Sequence, residues 1–179
     1  MHRPSLTLPP QAGGFFDAGG TLREDLPFTW AVGMPSHVQT AFAREGLVVR
    51  IPLDRDEDGS GVVLAGRAGN SDLCRIAQSF RLLEEVGYIA EPDFAFTNSG
   101  AWQDVHERSG SDGKAIFWNS QAHVDCFDDE GALIDDIPLQ WSGDAEVIEA
   151  ALRECGLVVD APETPEITFF LGPEGEDEF

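Results

Sequence analysis

Two Asp/His pairs hold the most chemical potential in this chain: Asp104 with His106, and His123 with Asp125. Each pair is spaced by two, and in extended backbone such side chains point to the same face. On neighbouring strands they would bring two imidazoles and two carboxylates together, a donor set suited to zinc or iron. That spacing predicts a metal-binding domain or metal-dependent hydrolase with Asp104, His106, His123 and Asp125 as ligands. The same pattern on solvent-facing strands of an acidic protein carries no chemistry. Nucleophilic catalysis is less well provided for. Cys126 lies three residues from His123, which on a strand sends the two to opposite faces. The chain has no Gly-x-Ser-x-Gly elbow, Walker loop, Gly-x-Gly-x-x-Gly run or Cys-x-x-Cys pair. Asp54, Asp56, Asp58 and Gly59 imitate the start of a calcium loop, but its twelfth position is Ala65 rather than Glu. No catalytic residue and no cofactor is assigned on these grounds.

Charge points elsewhere. The 179 residues include 33 acidic and 11 basic side chains, a net charge of −22, and Lys114 is the only lysine. Direct nucleic-acid binding is excluded as an expectation, because it needs clustered cations that displace counterions from phosphates. Such acidity can keep a protein soluble, attract a basic protein, or imitate nucleic acid. The foremost expectation is a non-enzymatic interaction protein (an adaptor, inhibitor or immunity-type antidote) that binds a basic protein partner; a nucleic-acid mimic is a further alternative. Acidic contacts would come from Asp54, Asp56, Asp58, Asp128 and Asp129. Trp102 and Trp118 would supply aromatic anchors, since interfaces are enriched in Trp, although core packing competes for both rings. The sequence does not set the oligomeric state.

A 42% hydrophobic content with 12 Phe and 4 Trp predicts a folded globular protein. No window of 18 apolar residues occurs, so no membrane helix is expected. The start MHRPSLTLPPQAGG lacks an apolar stretch of the signal-peptide kind. Cys74, Cys126 and Cys155 are odd in number and widely spaced, as reduced buried thiols are. These features together predict a cytoplasmic protein.

The elements that must position these residues are foreshadowed by an internal match. FDAGGTLREDLPFTW from Phe16 and FDDEGALIDDIPLQW from Phe127 align without a gap at an offset of 111. Phe, Asp, Gly, Leu, Asp, Pro and Trp coincide, and VQTAFAREGLVV then parallels VIEAALRECGLVV. Periodicity of this kind is architecture. The expected fold is α+β: two pseudo-repeated ββαββ units, mostly antiparallel, with helices packed on one face. Residues 1–13 read as an extended arm, 14–68 as the first unit, 69–173 as a helix, a hairpin insert and the second unit, and 174–179 as an acidic tail. Ser36 with Gln39 reads as a capping box opening the first unit's helix. Ser71 to Val86 is the longest predicted helix, with Leu73, Ile76, Ala77, Phe80 and Leu83 on one face. Trp102–Glu107 and the run around Val124–Phe127 read as strands.

The second half resembles an uncharacterised bacterial family catalogued as a domain of unknown function. The resemblance rests on Gly87-Tyr88, FAFTNSGAW from Phe94, FWNSQ from Phe117, LQWSGD from Leu139 and GLVV from Gly156, and covers residues of about 71–172. The family pattern places cysteines at Phe96, Thr97 and Gly100 and a histidine at Asn119. This chain lacks all four, so the resemblance implies a fold and no activity.

Overall fold

The computed structural model describes residues 6–18, 22–31, 33–53, 60–63, 71–110 and 112–174. They form a mixed α+β fold of two sheets with five α-helices packed alongside, counted among the described residues. The first sheet holds β1 (Leu6–Thr7), β2 (Leu26–Trp30), β3 (Val49–Arg50) and β4 (Ser60–Val63), in the order β1-β2-β4-β3. The second holds β5 (Ile89–Glu91), β6 (Ala115–Phe117), β7 (Ile137–Ser142), β8 (Val158–Asp160) and β9 (Phe169–Gly172), in the order β5-β6-β7-β9-β8. The helices are α1 (Pro35–Arg44), α2 (Asp72–Glu85), α3 (Asn98–Ser109), α4 (Ser120–Cys126) and α5 (Ala145–Glu154).

The two sheets share a register. Leu26 faces Val63, which faces Val49, while Ile137 faces Leu171, which faces Val159. Isolated bridges Phe16–Leu22 and Phe127–Leu133 precede β2 and β7. Pro27 and Pro138 occupy the same place, opposite Val62 and Phe170. A proline withholds a ladder donor, and both neighbouring strands stop short of it: β1 pairs with Thr29 and Trp30, β6 with Gln140 to Ser142. The expected leading hairpin of each unit is one bridge rather than a paired ladder. The described part of the expected extended arm is partly strand. Leu6–Thr7 is a strand of the first sheet and Ala12–Phe15 a 3-10 helix, both tied down by backbone pairing.

Helix α2 forms where the apolar spacing puts it. Ser71 Oγ accepts the Cys74 N–H at 3.1 Å, and Leu73, Ile76, Ala77, Phe80 and Leu83 are buried. Gly87 at φ +90 ends it, in the left-handed region glycine enters freely. Together with α5 it covers the inner face of the second sheet, where Ile116, Ile137, Leu139, Phe169 and Leu171 make the main core. Helix α3 links the parallel strands β5 and β6, and its Ala101 and Val105 pack with Ala115 and Phe117 on the outer face.

Among the described residues, the first sheet and α1 bury a smaller core of Leu22, Leu26, Phe28, Val38, Val49 and Ile51. That helix differs from the capping-box expectation. Pro35 opens α1, and Ser36 and Gln39 lie inside it, buried. The helix is covered on two sides: Val38 faces its own sheet, while Ala43 joins the core of the second unit. Glu91 adds a polar tie, pairing with Arg44 of α1 at 3.0 Å and Arg108 of α3 at 2.8 Å.

Candidate functional site

The four proposed metal ligands do not converge. Both segments are helical where strands were expected, and on a helix residues two apart point about 200° apart. His123 therefore enters the core while Asp125 faces solvent and accepts Gln121 Nε2 at 2.9 Å. Asp104 and His106 are exposed on α3, where His106 lies beside Trp102. Among the described residues no group of three or more His, Cys, Asp or Glu could hold a metal ion. The metal-centre expectation is corrected accordingly.

The proposed partner contacts divide as well. Trp118 is fully buried against Phe80 and Phe127, so its ring cannot anchor a partner; the alternation along β6 carries it into the core. Trp102 is half-buried, edge-on to Phe117. Asp128 Oδ1 accepts the N–H groups of Glu130 and Ala132, both at 2.9 Å, fixing its own turn. Asp129 clamps the first unit: its carbonyl accepts Ile51 N–H at 2.7 Å and its Oδ1 accepts Leu53 N–H at 3.2 Å. Asp54, Asp56 and Asp58 lie outside the described residues.

The clusters the structure does assemble lie at the junction of the units. Trp118 Nε1 donates to His123 Nδ1 at 3.2 Å, and His123 Nε2 lies 2.7 Å from Gln39 Oε1. Gln39 Nε2 in turn donates to the Asp128 carbonyl at 3.0 Å. Indole can only donate, so His123 is neutral with its proton on Nε2, which donates to Gln39. Burial is the main cause that holds its pKa down at about 4, outweighing the upward pull of Asp93. This chain of bonds joins α4 to α1 and leaves no imidazole nitrogen free for chemistry.

Beside it lie His37, Asp93 and Ser120. Asp93 (φ +51) and Ala95 (φ +60) are left-handed without being glycine, a strained backbone. Phe94 N–H to the Trp118 carbonyl, and Ser120 N–H to the Ala95 carbonyl, hold that segment in place. Both Asp93 carboxylate oxygens are buried without a hydrogen bond, and His37 Nε2 stands 3.5 Å from Oδ2. Ser120 Oγ lies 3.4 Å from the same Nε2. Residue types alone suggest a serine nucleophile, but that relay needs the acid and the serine on opposite ring nitrogens. Here one nitrogen faces both, so the trio is an electrostatic contact between units. Sequence reasoning missed it because His37 and Ser120 are 83 positions apart.

The outer face of the second sheet is dressed unevenly. Helix α3 covers it over β5 and β6, and no helix among the described residues covers β7, β9 and β8. A shallow cleft of about 440 Å³ lies there, lined by Asp136, Val158, Val159, Asp160, Phe170 and Gly172. Val158 and Phe170 are 40% and 36% exposed, which makes its walls apolar and its rim acidic. Gly172 shapes it, since a Cβ there would meet Asp136 Oδ1 at 2.9 Å. A second cleft of about 450 Å³ opens between Arg50, Leu53, Asp128, Asp129 and Ile134.

Thr97 and Asn119, two positions where the resemblance places sulfur and imidazole donors, are helix caps. Thr97 Oγ1 accepts Gly100 N–H at 3.2 Å, and Asn119 Oδ1 accepts Ala122 N–H at 2.9 Å while its amide donates to Asn98. No helix among the described residues is long and apolar enough to cross a membrane. Comparison with family models, curated proteins and solved structures finds no match to this chain.

Proposed function

We propose that this chain is a non-enzymatic acidic interaction protein that binds a basic protein partner, as an adaptor, inhibitor or antidote does. The observation that carries this reading is the fate of its cations. Arg44, Arg50, Arg75, Arg108 and Arg153 each pair with a carboxylate of the same chain, and Lys114 lies over the Tyr88 ring. With 33 acidic residues against 11 basic ones, the excess carboxylates have no internal counter-charge. An unneutralised field of one sign draws an oppositely charged partner, speeds encounter and weakens as salt rises. The shared register of the two sheets supports a further part of the reading, that they are copies of one ancestral unit. Three free cysteines, two of them buried, support a cytoplasmic setting.

The test is retention of host proteins on the immobilised chain, washed at low and then moderate salt. A single basic protein held in stoichiometric amount and released by salt supports the proposal. Retention of nothing, or of polylysine and every cationic protein alike, overturns it.

A further inference from the structure

We infer that the uncovered cleft on the outer face of the second sheet is the docking site of that partner, and that it receives an arginine flanked by apolar side chains. The inference rests on the proposed function and adds the place and the chemistry of contact. Its ground is a difference between two register-equivalent positions. In the first sheet, Arg50 faces Val62, which faces Pro27; in the second, Asp160 faces Phe170, which faces Pro138. Two residues before each proline stands an aspartate, Asp25 or Asp136.

In the first sheet the arrangement is self-contained: Arg50 NH2 reaches Asp25 Oδ2 at 3.3 Å, across the sheet's outer face. In the second sheet the cation's position is taken by Asp160, so Asp136 and Asp160 line one cleft, and among the described residues no cation pairs with either. Among the described residues, the first sheet thus displays an ion pair whose counterpart the second sheet does not make. Arginine suits the vacancy better than lysine, because a planar guanidinium can hydrogen-bond two carboxylates at once. Val158 and Phe170, both solvent-facing beside the carboxylates, give flanking apolar side chains something to cover.

The mode of contact is through the face of the sheet. Strand addition at the β8 edge is blunted, because Arg153 NH2 already donates to the Val159 carbonyl at 3.1 Å.

The test is a nitrogen–proton NMR titration of the full chain with a capped peptide alternating Arg and Leu, and with its Lys/Leu counterpart. Shifts confined to Asp136, Val158–Asp160 and Phe169–Gly172, stronger for the arginine peptide, are the expected result. The Asp160→Arg variant rebuilds the internal pair of the first sheet and should weaken binding about tenfold or more. Phe170→Ser, a surface change that leaves both carboxylates, should weaken it less. Shifts spread over the whole acidic surface, or an Asp160→Arg variant that binds as well as the parent, overturn the cleft while leaving the acidic-partner reading standing. No binding of either peptide at low salt overturns both.

Discussion

Gln39 of α1 meets His123 of α4, its Oε1 2.7 Å from the ring Nε2, where the helix beside the first sheet abuts the second sheet's core. The amide serves two groups at once, since it also donates to the part-buried Asp128 carbonyl. Gln39→Leu keeps the volume and removes both bonds, leaving the buried His123 N–H unpaired, while the Asp128 carbonyl keeps the Gly131 N–H. The expected cost is about 1–3 kcal/mol, read as a lower midpoint in urea. An unchanged midpoint would mean the junction does not depend on this amide.

His123 gives the stability a pH dependence of known sign. Its folded pKa, about 4, lies below the ordinary 6.5, so between those values the unfolded chain binds the proton and the folded chain does not. Stability from this group is complete above about pH 6.5 and falls as pH drops toward 4. The full loss is about 3 kcal/mol. His123→Asn should flatten that part of the profile relative to the parent, whatever the carboxylates contribute to both. Equal slopes between pH 7 and 5 would refute the assignment.

The buried Asp93 carboxylate has no hydrogen bond among the described residues, and His37 Nε2 stands 3.5 Å from its Oδ2. Removing one partner of such a pair costs more than removing both. His37→Ala should therefore destabilise the parent by about 1–2 kcal/mol and the Asp93→Asn background by less than about 0.5 kcal/mol. A double-mutant cycle checks this, and additive effects would dissolve the pair.

Cys126 is shielded chemically as well as sterically. Burial, with nearby aspartates adding to it, pushes its thiol up to about 11, and its Sγ–H faces the Asp136 carbonyl at 3.4 Å. Cys74 is buried too. In native buffer near pH 8, iodoacetamide should leave both unmodified over times that label all three cysteines in denaturant. Mass spectrometry of peptides decides it; rapid native labelling of Cys126 would contradict the packing.

What could be read in advance followed the strength of each local signal. Helix α2 was legible because five apolar residues share one stripe between Ser71 and Gly87. Helices α3 and α4 were not. The first buries only Ala101 and Val105, and the second spans seven residues, so neither shows a helical period. Their Asp/His spacing of two then imitated strands and suggested a metal site. The polar inner side of α1 misled in the opposite direction. Ser36 and Gln39 read as a capping box, yet with Thr40 they lie inside the helix and are buried. Gln39's partner His123 lies 84 positions away, a distance over which periodicity carries no information. The outer-face cleft was hidden for another reason: it depends on which half of a sheet α3 reaches.

The unequal cores also bear on the order in which the chain acquires its shape during synthesis. Among the described residues, the first sheet and α1 leave the ribosome with six buried apolar side chains of their own, a small holding by the standards of independent domains. Gln39 must then wait for His123, 84 residues later, and Ile51 for Asp129. At 5–20 residues per second, that is roughly 4 to 17 seconds in which α1 has one side covered and the other open. The N-terminal unit is thus born early and completed late. Its open flank in that interval is polar at Ser36, Gln39 and Thr40 and apolar at Ala43, Val48 and Leu53, and in a fragment ending at residue 68 those three apolar side chains should admit hydrophobic dyes that the finished protein excludes.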